Sequence, residues 1–325
     1  MTSFWTDKQA VVTGGGGLLG HHVVERLRQA GCARIFVARK RDYDLSREEA
    51  VARLFTAAAQ ARGEAAQFVV FHLAGLNGGI GANRARPAEF FYQNIMMNVM
   101  TLHQAWQSGA LRCVAAGAGS GYPQAAPQPL KEESLWDGYP QAETAPYALA
   151  KRLLDVQGGA YWQQYGFAVI TAILGNLYGP HDNFDPATAP VIPALVRKFV
   201  AAASGANVPV AIWGTGRATR DFVYAGDVAR GLLLAAEKYE RSERVNLSSG
   251  AETSIGQVAQ LLAAIIHYSG EIAWDTSRPD GQATRRLDVS KAARELGWSA
   301  STDLAAGLRL TVDWYRSHGL PGTAL

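Results

Sequence analysis

The chain has 325 residues, 31 Lys plus Arg against 28 Asp plus Glu for a formal net charge of +3, 48% hydrophobic residues and 18% charged ones. That length suits two compact domains or one large one, and a charged fraction below the roughly 25% of ordinary globular proteins excludes a disordered chain. The basic residues are scattered apart from short clusters such as Arg39-Lys40-Arg41, which argues for small anionic ligands and against nucleic acid, and no apolar run approaches the ~18 residues of a membrane span, so a cytoplasmic protein is expected.

From Gln9 a short apolar run (Ala10 to Thr13), a glycine cluster, an amphipathic stretch (Leu18 to Ala30), a stop at Gly31 and a second apolar run (Ala33 to Ala38) read as a β-α-β unit. Cys32 and Cys113 fall in apolar stretches at strand starts, and no Cys/His run has zinc-site spacing, so buried reduced thiols and no metal are expected. The alternation continues with a helical stretch from Ser46 to Arg62, a buried strand at Phe68-Val69-Val70-Phe71, a long helix after Pro87 and a strand ending near Gly117. This predicts an α/β fold with a Rossmann-type doubly wound parallel sheet. Past Gly175 the rhythm loosens into Pro and Gly-rich segments, which predicts a smaller mixed α/β substrate domain. Residues 1–175 plus about 222–250 are assigned to the dinucleotide-binding domain, and 176–221 plus about 251–325 to the substrate domain.

Gly14, Gly17 and Gly20 form a Gly-x-x-Gly-x-x-Gly pattern between the first strand and the helix opened by Leu18 and Leu19, where glycine lets the backbone approach a pyrophosphate at the helix N-terminus. Leu73, Ala74 and Gly75, just past the third strand, are assigned to the same cofactor site. An NAD site would want an acidic residue about 20 positions after the glycines, but Arg39, Lys40 and Arg41 stand there. Basic residues at the end of the second strand pair with a 2′-phosphate, which tilts the choice to NADP(H); a solvated charged loop is the plainer alternative. Tyr147 and Lys151 lie four residues apart on one face of a helix beginning near Pro146. A phenol with a pKa near 10 is a poor acid at neutral pH, and an ammonium one turn away stabilises its phenolate and draws that pKa down. The pair and the upstream loop together resemble the extended short-chain dehydrogenase/reductase enzymes.

In the middle of the chain Gly78-Gly79-Ile80, Pro87-Ala-Glu-Phe-Phe-Tyr-Gln-Asn94, Asn176-Leu-Tyr-Gly-Pro-His-Asp-Asn-Phe184, Val191-Ile-Pro-Ala-Leu195 and Trp213-Gly-Thr-Gly216 follow in order. With these motifs the chain, from about Ala10 to Trp314, resembles the GDP-L-fucose synthase family. That family epimerises GDP-4-keto-6-deoxymannose at C3 and C5 and then reduces C4 with NADPH. The resemblance implies a nucleotide-sugar substrate touched by Asn176, with Lys198 at the end of the Val191 helix, Trp213 and Arg220 at the nucleotide-diphosphate end, and Arg278 of Arg278-Pro-Asp-Gly281 on the substrate side. It also implies a homodimer built on the catalytic helix and the one after Pro87, and close packing there would explain Gly158-Gly159 inside the catalytic helix.

The strand-end motif Gly-Ser-Ser-Cys-x-Tyr-Pro of that family reads Gly117-Ala118-Gly119-Ser120-Gly121-Tyr122-Pro123 here, and the histidine that precedes its Val-Ile-Pro is Pro190. Ala118 lacks the hydroxyl that bonds the substrate oxygen, Ser120 replaces the epimerisation base, and the opposing proton donor is gone. Tyr147, Lys151 and the cofactor loop suffice for hydride transfer at C4, with Ser120 offering a substitute hydroxyl. Three readings stand: a C4 oxidoreductase without 3,5-epimerase activity; a full epimerase and reductase using Ser120 and His181; and a silent sugar-nucleotide-binding relative.

Overall fold

The central sheet is built from strands whose alternate residues are apolar on both sides. A computed structural model of the chain describes residues 3–63, 65, 67–205, 208–277 and 284–319. The first half alternates β1 (Lys8–Thr13), α1 (Leu18–Gln29), β2 (Arg34–Ala38), α2 (Glu48–Ala61), β3 (Gln67–His72), α3 (Ile80–Ala85), α4 (Pro87–Gln107), β4 (Arg112–Ala116), α5 (Ala145–Tyr165) and β5 (Ala168–Leu174). Then come β6 (Asn176–Tyr178), α6 (Val191–Ser204), β7 (Val210–Trp213), β8 (Thr219–Arg220), β9 (Phe222–Tyr224), α7 (Ala225–Lys238), β10 (Glu243–Leu247), β11 (Thr253–Ser254), α8 (Ile255–Ile266), β12 (Ile272–Asp275) and α9 (Leu304–His318). Six strands form one parallel sheet in the order β10-β5-β4-β3-β1-β2.

Successive side chains of a strand point to opposite faces, so a parallel sheet covered on both sides reads as a continuous apolar run. Ala10, Val12, Val69, Phe71 and Val114 enter the core shared with α1 and α7. Their neighbours Val11, Val70, Cys113 and Ala115 enter the core shared with α2 and α5. A separate core joins α6, α8 and α9 through Leu195, Phe199, Val258, Leu262, Leu308 and Val312. The doubly wound α/β expectation is met, and no helix among the described residues is long and apolar enough to cross a membrane.

Two local expectations are corrected. Cys113 is fully buried, and burial pushes its thiol up to about 12, but Cys32 is only partly buried because it lies outside β2, with its thiol against the Lys8 and Arg34 carbonyls. The helix opened by Val191 does not end near Lys198: Ala201-Ala202-Ala203 extend it to Ser204, as the helix propensity of alanine favours.

Packing within the chain explains Gly158 but not Gly159. A Cβ at Gly158 would lie 2.9 Å from Val169 Cβ and 3.2 Å from its Cγ1, so this glycine lets α5 seat directly on β5. A Cβ at Gly159 would meet nothing within 4 Å. Because Val169 is β-branched and its χ1 is stiff, Gly158→Ala should destabilise the chain by about 1–3 kcal/mol. Gly159→Ala should instead gain about 1 kcal/mol of helix propensity. Urea unfolding midpoints of the two variants check both signs; equal shifts would contradict this packing.

Candidate active site

In the sheet, β2 and β3 flank β1 on opposite sides, so the connection reverses direction there and opens a crevice beyond the carboxyl ends of β1 and β3. Gly14 (φ +68) turns the chain at that point; a Cβ on it would sit 2.7 Å from the Ala74 nitrogen, and one on Gly20 would overlap the Gly14 carbonyl. A Cβ on Gly15 would collide with the Val37 side chain of β2. The outer side of the loop is open: a Cβ on Gly16 would meet nothing within 4 Å, and one on Gly17 only the Gly14 oxygen at 3.5 Å. Gly17 caps α1 without a side-chain bond, and the first turn, with Leu18 half-buried and Leu19 buried, holds no acidic residue. Free N–H groups at the positive end of a helix, approachable because the loop has no side chains, fit the phosphates of a dinucleotide. The Leu73 N–H donates to Thr13 O at 3.3 Å and the Ala74 N–H to Thr13 Oγ1 at 3.3 Å, which holds residues 73–75 beside the loop. Arg39, Lys40 and Arg41 follow β2 fully in solvent, with Arg41 Nε 3.5 Å from Asp42.

Tyr147 and Lys151 stand one turn apart on α5, whose first turn contains Pro146. The Tyr147 ring meets Phe90 edge-on at 6.4 Å, and Lys151 is only 4% exposed. A Cβ at Gly75 would lie 3.0 Å from Lys151 Nζ and 3.1 Å from Asn94 Oδ1, so Gly75 leaves room for the ammonium. Asn94 clamps the next residue, accepting from the Leu76 N–H and donating to its carbonyl, each at 3.0 Å. Burial pushes the Tyr147 phenol up to about 12 and pulls Lys151 down to about 8. This differs from the expected drop in the phenol: Lys151 is seated towards Gly75, and in the protein by itself desolvation is the force that acts on both groups.

Beneath the pair lies a network the sequence analysis missed. His72, fully buried, bonds Thr13 Oγ1 through Nδ1 at 2.9 Å and Asn98 Oδ1 through Nε2 at 3.0 Å; Asn98 Nδ2 donates to Ala150 O, the carbonyl before Lys151, at 2.9 Å. Burial, and then Lys151, pull the His72 pKa down to about 3, so the ring is neutral. A polar residue closing an otherwise apolar strand was its signal.

Ser120 sits half-buried on the short 3-10 turn Gly119–Gly121 at the end of β4, directly after the extended Ala118. Pro190 caps α6. His181 stacks on His21 at 4.0 Å and lies 4.9 Å from Trp314; among the described residues its ring has no contact with Tyr147.

Of the substrate-side candidates, Asn176 and Arg220 lie next to Asp221, which is 1% exposed. Its carboxylate accepts the Ser249 N–H at 2.9 Å, the Ser249 hydroxyl at 2.6 Å, the Gly250 N–H at 3.2 Å and the Leu287 N–H at 3.1 Å, and its carbonyl accepts the Asn176 N–H at 2.8 Å. Arg220 precedes it on β8. Lys198 donates to Ala211 O at 2.6 Å, two residues before Trp213, which is 66% exposed. Arg278 lies outside the described residues. Arg285 was not singled out in the sequence, although the run Thr284-Arg285-Arg286 was a signal. Its Cδ lies 3.9 Å from where a Gly119 Cβ would be, which puts a second cation beside the Ser120 turn, and burial, then Arg220, pull it down to about 10.

Residues 10–248 match the model of the NAD dependent epimerase/dehydratase family. A probable GDP-L-fucose synthase 1 of Oryza sativa subsp. japonica is 35% identical over 316 residues, 96% of this chain and 94% of its own. The GDP-L-fucose synthase of Escherichia coli (strain K12) is 32% identical over 319 residues, covering 95% and 97%. Among solved structures, a GDP-mannoheptose C4 reductase from Campylobacter jejuni with NADP bound superposes with TM-score 0.84 at 29% identity, covering 96% of this chain and 99% of its own. A GDP-6-OMe-4-keto-L-xylo-heptose reductase from C. jejuni superposes with TM-score 0.88 at 29% identity, covering 97% and 99%.

The glycine loop makes a two-sided test. Gly17→Ala should keep the melting midpoint within ~2 °C, since its Cβ meets only an ordinary contact, while raising the Kd for NADPH at least ~10-fold by blocking the approach of the phosphates. Gly20→Ala should lower the midpoint itself by ~4 °C or more. Fluorescence titration and calorimetry measure the two quantities.

Proposed function

The chain belongs to the NAD dependent epimerase/dehydratase family and, within it, to the GDP-L-fucose synthase family, and from that membership we propose that it is an NADP(H)-dependent C4 reductase of a GDP-linked 4-keto sugar that lacks 3,5-epimerase activity. The observation that carries this reading is that the Tyr147 and Lys151 pair is intact beside an open glycine loop, while Ala118, Ser120 and Pro190 replace the groups that would move protons at C3 and C5. The Campylobacter relatives are named as reductases of GDP-linked heptoses, one of them at C4 and with NADP bound, which supports a reduction without coupled epimerisation.

Gly14, Gly17, Gly20 and residues 73–75 would hold NADPH, with Arg39, Lys40 and Arg41 available to a 2′-phosphate, and the bound cofactor would supply a hydride to C4. Tyr147 gives its phenolic proton to O4 as the alkoxide develops, and Lys151 stabilises the phenolate that remains. Burial holds the phenol near 12 in the protein by itself, so the proton transfer depends on stabilising the phenolate, each unit recovered being worth about 1.4 kcal/mol. Ser120 Oγ makes no hydrogen bond among the described residues and is two positions from the missing hydroxyl of Ala118; in this reading it donates to the substrate carbonyl. Asn176, Lys198, Trp213, Arg220 and Arg278 are assigned to the nucleotide-sugar side, in a substrate domain of residues 176–221 and about 251–325. The cytoplasm is the proposed setting, in keeping with two unpaired thiols.

A homodimer is part of the same proposal. Tyr92 and Val99 on α4 and Val156 and Trp162 on α5 are 40–59% exposed, apolar residues on two neighbouring helices that suit burial against a second copy. Light scattering at micromolar concentration should return twice the chain mass of 34.8 kDa; a monomer would remove this part of the reading.

The activity is tested by incubating the protein with NADPH and GDP-4-keto-6-deoxymannose in deuterated water and following the sugar by proton NMR. Expected are NADPH consumption, no deuterium at C3 or C5, and a loss of at least ~100-fold in turnover for Tyr147→Phe. Deuterium at both carbons would show that epimerisation survives, and no reaction at all would exclude this sugar as substrate.

A further inference from the structure

Directly after Lys151 comes a cation for which the proposed reaction has no use. Arg152 is 5% exposed, and among the described residues no carboxylate lies within ion-pair distance of it. Its guanidinium is bonded to main-chain carbonyls instead. Nε–H donates to Gly121 O at 2.6 Å and Nη1–H to Gly138 O at 2.9 Å; the guanidinium carbon lies 5.1 Å over the Trp136 ring, and Nη2 is buried with no hydrogen-bond partner among the described residues. A methionine would fill much of this space without the cost of desolvating a charge, so stability alone is a poor reason for an arginine here.

What the arginine contributes is geometry. Gly121 closes the 3-10 turn that carries Ser120, its N–H bonded to Ala118 O at 2.8 Å. Gly138 belongs to the return segment that pairs with the chain leaving that turn, through the Pro123–Pro140 bridge and the Gln124 N–H to Tyr139 O at 3.0 Å. The turn also packs on α5: a Cβ at Gly121 would lie 3.8 Å from Arg152 Cγ and 3.9 Å from Ala148 O. A rigid guanidinium fork reaches both carbonyls from one helical position, where a lysine reaches with a single point charge.

We propose that Arg152 is a positioning residue, whose two carbonyl bonds fix the Ser120 turn to the helix that carries Tyr147 and Lys151 and so keep the serine hydroxyl in register with the tyrosine. The inference rests on the role given above to Ser120, and its test separates the two. Arg152→Met should speed amide exchange at Gly121 and Tyr122 at least ~10-fold while amides of α5 beyond Leu154 keep their rates. With NADPH and GDP-4-keto-6-deoxymannose it should lower kcat ~10-fold and leave the KM for NADPH within ~2-fold. In a Ser120→Ala background the same substitution should cost less than ~2-fold, because the hydroxyl it positions is gone. Arg152→Lys, which keeps the charge but serves one carbonyl, should fall between wild type and Arg152→Met, and it carries the comparison if the methionine variant does not fold.

Unchanged exchange in the turn overturns the proposal whatever the substrate. Equal losses of kcat in both backgrounds overturn it while leaving the Ser120 reading intact. Faster exchange with a Ser120→Ala variant of unchanged kcat overturns the Ser120 reading, and the catalytic part of the Arg152 proposal with it.

Discussion

A lysine ammonium kept out of water is the constraint around which the cofactor half of the molecule is arranged. Lys151 is pulled down to about 8 by burial, close enough to neutrality that its surroundings decide its charge. Each neighbour can be understood as a response. Gly75 leaves it space, Asn94 fixes the loop beside it, and His72 stays neutral and fully bonded, so no second cation forms below it. The chain of Thr13, His72, Asn98 and the Ala150 carbonyl then ties the ends of β1 and β3 through α4 to the turn of α5 that presents the lysine. The start of the glycine loop and the helix carrying Lys151 are therefore parts of one buried hydrogen-bonded structure, and breaking any link would leave an unsatisfied group at a cost of about 1–3 kcal/mol.

The Rossmann half was legible in the sequence because its signals are local. Alternating apolar strands, a glycine cluster between strand and helix, and a proline opening the catalytic helix each state their structure within a dozen residues. Tyr147 and Lys151 were legible for the same reason, since a spacing of four fixes their relative placement on any helix. His72 and Asn98 were not, because their partnership joins a strand end to a helix 26 residues later and looks, in sequence, like two ordinary polar residues. The electrostatics were legible only in part: spacing brought the ammonium near the phenol, but the direction of the phenol's shift depends on desolvation, which is a property of the packed site.

The smaller half resisted for a different physical reason. Its strands are two to four residues long and pair across wide sequence gaps, as β7 does with β12 and β8 with β11, so register is set by tertiary contacts and not by period. Asp221 shows how: one carboxylate gathers N–H groups from residues 249, 250 and 287, while its carbonyl holds residue 176. No motif marks such a hub. Lys198 and Trp213 were found by resemblance, and the structure adds that both meet β7; Arg285, beyond any motif, became visible once its side chain lay against the Ser120 turn.

Ala118, Ser120 and Pro190, standing where the family motif has Ser, Cys and His, bear unequally on epimerisation and on reduction. Epimerisation requires a base and an acid aimed at carbon from opposite faces of the sugar, and each is worth roughly 10²–10⁴-fold. In the proposed reading the serine and the proline do not supply them, and His181 is engaged in a stack with His21 and lies near Trp314. Reduction requires less of the protein: a proton donor, a charge to stabilise what the donor leaves behind, and a hydroxyl to orient the carbonyl. Of the first two, Tyr147 packs edge-on against Phe90, and the turn that presents Lys151 is tied down by Asn98. The third is, in the proposed reading, the Ser120 hydroxyl, and its turn is where Arg152 is bonded. A hydroxyl carried on a short turn needs a fixture, and a buried fork of two hydrogen bonds is a physically sufficient one.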